Sequence, residues 1–299
     1  MHLLAAKPGA IADGGQAVDL KQSPADIVVL SAADSELACL AAAHARITET
    51  GFPSLRLASL LALGHPLSVD LYLEKTLSQA RLIVARVLGG YPYWSYGIEQ
   101  VARACAERGI GLAVLAGDDQ PDPELTSFST LPKEACHRLW QYLVHGGIAN
   151  AVEFLRYAAT LTGYGGAWLE PRPLLRAGLY WPGREQATLA DIRGVWPEPA
   201  RPVAALVFYR ALVQAGNLKA IDALITALMA EGLNPLPVFA ASLKDPVAAA
   251  PIERLFAETQ PAIVLNGTGF AVSAPSAGAP APVFAGCDGV VLQVIFSGS

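Results

Sequence analysis

Val203-Ala204-Ala205-Leu206-Val207-Phe208-Tyr209 is an unbroken apolar run set between Pro202 and Arg210. Such a run suits a strand buried on both faces of a parallel sheet. A polar break at Gly216-Asn217 follows. Ile221, Leu224, Ile225 and Leu228 then recur at the spacing of a helix with one buried face. Gly232 stands where a left-handed cap would end that helix. Residues 236–239 and 262–265 read as further strands, the latter running into Asn266-Gly267-Thr268-Gly269-Phe270. Strand, helix, strand, helix, strand is the plan of an open α/β sheet, which binds ligands beyond the carboxyl ends of its strands.

Totals narrow the class. With 299 residues, 53% hydrophobic and 16% charged, the chain has material for about two domains. It contains no uncharged apolar run of about 18 residues, so no membrane partner is expected. The first residues lack the charged and apolar regions of a signal peptide. A net charge of −5 argues against a nucleic-acid surface, which needs a basic stripe. Cys39, Cys105, Cys136 and Cys287 show no C-x-x-C spacing and read as reduced, mostly buried thiols of a cytoplasmic protein.

Outward from the central stretch, residues 3–6 read as a short strand before a turn-rich insertion with Pro8, Gly9, Asp13, Gly14 and Gly15. Strands are expected at 26–30, 55–59, 82–88 and 110–116, with helices at 69–80, 98–107, 133–144 and 148–161. Ser31 or Asp34 suits the cap of a helix whose buried face carries Leu37, Leu40, Ala41 and His44, His44 reading as a core-margin side chain. Gly89-Gly90 leads into Tyr91, Tyr93, Trp94 and Tyr96, which reads either as a wall for a flat ligand or as a loop packed on the sheet or docked to a neighbour. Asp118-Asp119 reads as an Mg²⁺-holding pair or, more simply, a solvated turn. The chain has neither a phosphate-binding G-x-x-x-x-G-K-[ST] loop nor a G-x-S-x-G nucleophile elbow.

Residues 163–202, with Trp168, Trp181 and Trp196 among several prolines, read as an ordered connector, because flexible linkers rarely carry three tryptophans. The expected organisation is α/β throughout: two open, mainly parallel, flavodoxin- or Rossmann-like units, a head domain over 1–162 and a second domain over 202–299, joined by a Pro/Trp-rich connector over 163–201. Residues 290–296 resemble a core strand with no helix after it, as if the second domain were truncated there.

The ordered set Gly89-Gly90, Tyr93-Trp94-Ser95-Tyr96-Gly97, Phe208-Tyr209-Arg210, Gly216-Asn217, Gly232-Leu233-Asn234, Ser242-Leu243-Lys244-Asp245, Asn266-Gly267-Thr268-Gly269-Phe270 and Leu292-Gln293-Val294-Ile295 resembles the N-terminal portion of the large (CobN-type) subunit family of aerobic cobaltochelatase. That family is related to the porphyrin-binding large subunit of magnesium chelatase. The resemblance implies a component of an ATP-dependent ligase that inserts Co²⁺ into hydrogenobyrinic acid a,c-diamide during cobalamin synthesis. ATP and Mg²⁺ would be used by an AAA+ motor subunit and its companion, in keeping with the missing phosphate loop, and this chain would bind no cofactor tightly. Family members are around four times as long, so the chain alone is expected to be inactive. The alternatives are a non-catalytic scaffold docking the motor subunits, or the homologous porphyrin-binding subunit of magnesium chelatase.

A corrin precursor is a flat apolar ring fringed by carboxylates and amides, which calls for apolar walls and a few fixed donors. The residues expected at one rim are Tyr209, Arg210, Asn217, Lys244, Asn266, Thr268 and Gln293. Arg210 and Lys244 carry the charge suited to a substrate carboxylate. The competing reading is that these side chains cap helices and tie loops, Asn217 as an N-cap and Asn266 in a turn. No residue is assigned as catalytic base or cobalt ligand.

Overall fold

The structure, a computed structural model, describes residues 16–269, 283–284 and 287–296. The strand expected at 3–6, the turn-rich insertion, Phe270 and residues 297–299 lie outside them. The chain divides into two compact units, Met1–Pro173 and Leu174–Ser299.

In the first unit β1 (Ile27–Ser31), β2 (Leu55–Ser59), β3 (Leu82–Val87) and β4 (Gly111–Ala116) form a wholly parallel sheet in the order β2-β1-β3-β4. The helices are α1 (Asp34–His44), α2 (Pro66–Lys75), α3 (Ser95–Arg108), α4 (Pro123–Ser127), α5 (Lys133–His145) and α6 (Gly147–Leu161). The apolar runs 27–30 of β1 and 82–85 of β3 are explained by cover on both faces. Val28, Leu30, Ile83 and Ala85 meet Tyr72, Ile98, Val101 and Cys105 on one side, while Val29, Val84, Ala113 and Leu115 meet Leu40, Leu139, Phe154 and Ala158 on the other. Each such fully buried aliphatic contributes about 1.5–3 kcal/mol relative to exposure.

Local readings shift in three places. The N-cap of α1 is Ala33, with no side-chain cap, and Ser31 Oγ instead accepts the Ala33 N–H at 3.1 Å. Its buried face is Cys39, Leu40 and Ala43, leaving His44 exposed beside the Phe52 ring. The helix expected to reach residue 80 ends at Lys75, where Thr76 leaves helical geometry and its hydroxyl donates to the Gln22 carbonyl at 2.8 Å.

The second unit repeats the same strand order. β7 (Val203–Tyr209), β8 (Asn234–Ala240), β9 (Ile263–Asn266) and β10 (Val290–Gln293) are parallel in the order β10-β9-β7-β8. Helices α8 (Arg210–Gln214), α9 (Lys219–Ala230) and α10 (Pro246–Thr259) accompany them. Ile221 and Ile225 of α9 cover Leu206 and Phe208, and Ile252 and Phe256 of α10 cover Val207 and Val238. Gly232, at φ +78°, turns the chain out of α9 as its position implies.

The stretch read as a connector is not a separate element over its whole length. β5 (Ala177–Trp181) and β6 (Arg184–Ala187) form an antiparallel hairpin that extends the second sheet beyond β8, followed by α7 (Leu189–Arg193). Pro182-Gly183, with Gly183 at φ +77°, is the sequence signal for its turn. The Trp196 indole donates to the Pro235 carbonyl at 2.9 Å and fastens the rest of the segment to the same unit. Among the described residues no helix is long and apolar enough to cross a membrane.

Candidate functional site

In a parallel sheet the strand order reverses at one point, where the adjacent loops leave in opposite directions and open a crevice. In the second unit that point lies between β7 and β9. Register sets Val207, Asn266 and Gln293 abreast, which brings their side chains and the residues just beyond them to one rim. Asn266 is 1% exposed and Thr268 5%. Asn266 Oδ1 accepts the Thr268 N–H at 3.1 Å and its hydroxyl at 2.7 Å. Asn266 Nδ2 donates to Gln293 Oε1 at 3.1 Å, and Gln293 Nε2 donates to the Thr268 carbonyl at 2.6 Å. The Gly269 N–H donates to the Tyr209 hydroxyl at 2.6 Å.

This lattice holds residues 267–269 in one conformation. Gly267 makes the close approach possible: a Cβ there would stand 2.2 Å from Phe296 Cε2 and 3.1 Å from the Val207 carbonyl oxygen. Asn266 Oδ1 is fully used by Thr268. The Tyr209 hydroxyl accepts from Gly269 and keeps its own proton to donate. Asn266, Thr268 and Gln293 therefore position the loop, and Tyr209 is the residue of the four with an O–H to offer a ligand.

The remaining expected residues stand apart from that lattice. Arg210 donates from Nε to the Leu175 carbonyl at 2.9 Å and from Nη2 to the Leu174 carbonyl at 3.0 Å, so its guanidinium clamps the start of the unit's own chain. Asn217 is exposed and does not cap α9, whose N-cap is Leu218 without a side-chain bond. Lys244 is exposed in the loop after β8, its N–H bonded to Ser242 Oγ at 3.2 Å. The next residue, Asp245, caps α10 by accepting the Val247 N–H at 3.0 Å and pairs with Arg176 at 2.9 Å.

Those two partners, the Val247 amide first and Arg176 second, hold the Asp245 carboxyl below its ordinary 3.8. A depressed folded pKa contributes stability that is present above the unfolded value and lost as the pH falls through the folded one. Acidification below about pH 4 is therefore expected to loosen the first turn of α10, read as loss of amide protection at Val247. Asp245→Asn retains the cap acceptor and is expected to remove that pH dependence.

The aromatic loop resolves into separate duties within the first unit. Trp94 is 5% exposed, donates its indole N–H to the Leu63 carbonyl at 2.9 Å, and lies so close over Gly97 that a Cβ there would be 2.0 Å from its Cε2. It is core, not a ligand wall. Tyr91 stacks on Phe128 with ring centroids 5.4 Å apart and bonds Glu99. Tyr93 is half-buried, its ring lying over Gly89. Tyr96 is exposed and donates to Asp70 at 2.8 Å. Asp118 and Asp119 bond Gln120 in an exposed turn.

Sequence reasoning passed over Arg86. It sits at the first unit's reversal point, in register with Ser31 of β1 and Leu115 of β4. Its side chain is 10% exposed, pairs with Glu36 of α1, and donates from Nε to the Ala116 carbonyl at 3.2 Å. Burial pushes the guanidinium down to about 10, against a counteracting pull from Asp118. A charged residue within the apolar strand Leu82–Val87 was the available signal. The place where the first sheet would receive a ligand thus holds an internal ion pair, whereas the second sheet presents hydrogen-bonding groups.

A family model described as CobN/Magnesium Chelatase matches residues 140–299, more than half of the chain, and the chain belongs to that family. Within it, the chain is 48% identical, over 306 aligned residues and its whole length, to the aerobic cobaltochelatase subunit CobN of a Sinorhizobium species. It is 45% identical over 278 residues, 93% of its length, to the subunit of the same name from Pseudomonas aeruginosa. These alignments cover 24% and 22% of the two relatives, so the chain spans about a quarter of their length. The catalytic subunit of cobaltochelatase from Mycobacterium tuberculosis shares the fold over 90% of this chain and 21% of its own, with a TM-score of 0.65 at 24% identity.

Proposed function

We propose that this chain is the part of a cobaltochelatase large subunit that helps to hold the tetrapyrrole substrate, hydrogenobyrinic acid a,c-diamide, while Co²⁺ is inserted for cobalamin synthesis. The observation that carries this reading is the 48% identity to an aerobic cobaltochelatase subunit CobN along the entire chain. The rim at Tyr209, Asn266, Thr268 and Gln293 suits it chemically. An amide- and carboxylate-fringed ring needs donors already held in place, and the Tyr209 O–H is one. Lys244, exposed beyond the neighbouring strand, supplies a cation for a peripheral carboxylate.

On this reading Co²⁺ is a substrate, and ATP with Mg²⁺ is consumed by an AAA+ motor subunit and its companion. Proton removal from the ring nitrogens and cobalt ligation are assigned to no residue of this chain. Titration with hydrogenobyrinic acid a,c-diamide is expected to shift the ligand's visible spectrum saturably, with a porphyrin producing a weaker effect. A spectrum unchanged at large excess would overturn ring binding by this chain.

One observation favours a docking role beside it. Val290, Val291 and Leu292 of the edge strand β10 are 61%, 45% and 48% exposed, and Ile295 just beyond it 73%, and parallel strands are ordinarily covered on both faces. Co-purification with the motor complex tests that role.

A further inference from the structure

A cleft of about 110 Å³ opens in the first unit at the carboxyl end of β4, between Leu115-Ala116 and one face of α5. Lys133, Cys136, His137 and Trp140 line it at the spacing of successive helical turns, opposite Pro121, Asp122 and Thr126. Its parts are already fixed. The Trp140 indole donates to the Asp118 carbonyl at 3.2 Å, and the Asp122 carboxylate caps α4 by accepting the Leu125 N–H at 3.0 Å. Burial pushes the Cys136 thiol up, so it contributes an uncharged floor. At the mouth, Lys133 and His137 are exposed, and among the described residues neither has an ion-pair partner. The His137 ring leans on Trp140 at 5.6 Å. The first turn of α5 has no side-chain cap and carries the exposed Glu134 beside Lys133, so the partial positive charge of the helix end is offset there and the anion attraction rests on Lys133 and His137.

We infer that this cleft binds a short-chain carboxylate, its anionic head between Lys133 and His137 and its stem against Trp140 and Leu115. The volume holds the equivalent of about four waters, too little for a nucleotide or a macrocycle and enough for one carboxylate arm. Indole and leucine walls favour a carbon stem over bare phosphate. Asp122 stands on the opposite wall, so a second negative charge is disfavoured and a hydroxyl or amide donor tolerated. The inference stands apart from the macrocycle reading of the second unit.

The test follows the Trp140 indole N–H resonance, assigned by its loss in Trp140→Phe. Propionate is expected to shift it saturably, with neutral propanol ineffective. Lys133→Ala/His137→Ala is expected to weaken binding about tenfold, and Lys219→Ala/His44→Ala, a matched pair of exposed residues away from the cleft, is expected to leave it unchanged. Circular dichroism of each variant separates lost binding from lost folding. Equal binding by the double variant, no saturable shift, or a shift with inorganic phosphate alone overturns the inference. If hydrogenobyrinic acid a,c-diamide displaces propionate, the carboxylate belongs to an arm of the ring; if it does not, the ligand is a free small acid.

Discussion

Arg86→Met is expected to lower the unfolding free energy by about 3–5 kcal/mol, because it leaves Glu36 as an uncompensated buried charge. The Glu36 side chain is only 12% exposed, and its Oε1 has no hydrogen-bond partner among the described residues even with Arg86 present. Water therefore replaces little of what the guanidinium supplies. Glu36→Leu alone is expected to be similarly harmful, since it leaves Arg86 with the Ala116 carbonyl as its hydrogen-bond acceptor in hand. The double variant Arg86→Met/Glu36→Leu is expected to regain most of the loss, coming within about 1 kcal/mol of the parent or above it, because removing both charges also removes the cost of desolvating them. Urea unfolding of the four proteins measures the coupling. Additive losses would mean that the two charges do not depend on one another.

Asn266→Ala is expected to cost about 3 kcal/mol, since it orphans the buried Thr268 N–H and hydroxyl together and releases Gln293. Gln293→Ala is expected to cost about 1 kcal/mol or less, because Gln293 is exposed and water replaces its partner. The asymmetry distinguishes a lattice centred on Asn266 from a set of independent surface bonds. Denaturant unfolding gives the energies, and amide exchange at Gly269 reports whether the loop has been released. Equal small losses for the two variants would contradict the lattice.

Much of the fold was legible because burial on both faces writes itself into a parallel strand. Residues 203–209 have no other plausible home than a covered sheet, and Gly232 marks the end of the following helix by its left-handed turn. The rim was partly legible for the same reason: residues just past parallel strands share an edge, so Tyr209, Asn266, Thr268 and Gln293 could be grouped without coordinates. Asn217 could not be separated from them by pattern alone, because its distance from the rim depends on the extra short helix α8.

Other features depend on partners far away in the chain. Arg86 and Glu36 are fifty residues apart, and neither neighbourhood announces the other. The aromatic loop allowed both a ligand wall and a packed loop, and for Trp94 the choice rests on Gly97, one turn along, which makes room for its ring. The hairpin at β5 and β6 has short strands and lies among prolines, so its only clear local sign was Pro182-Gly183. The Arg210 charge suggested a ligand contact, but two backbone carbonyls at Leu174 and Leu175 take its N–H groups. Charge in a sequence shows what a side chain can do, and only the fold shows what is within its reach.

The most direct test of the central claim is a map of amide and side-chain resonances of the intact 299-residue chain during titration with hydrogenobyrinic acid a,c-diamide. The account predicts saturable shifts at Tyr209, residues 266–269 and Gln293, weakened about tenfold by Tyr209→Phe, which removes the donated hydrogen bond together with the acceptor of the Gly269 N–H. Saturable shifts confined to other surfaces, or none at all, would contradict it.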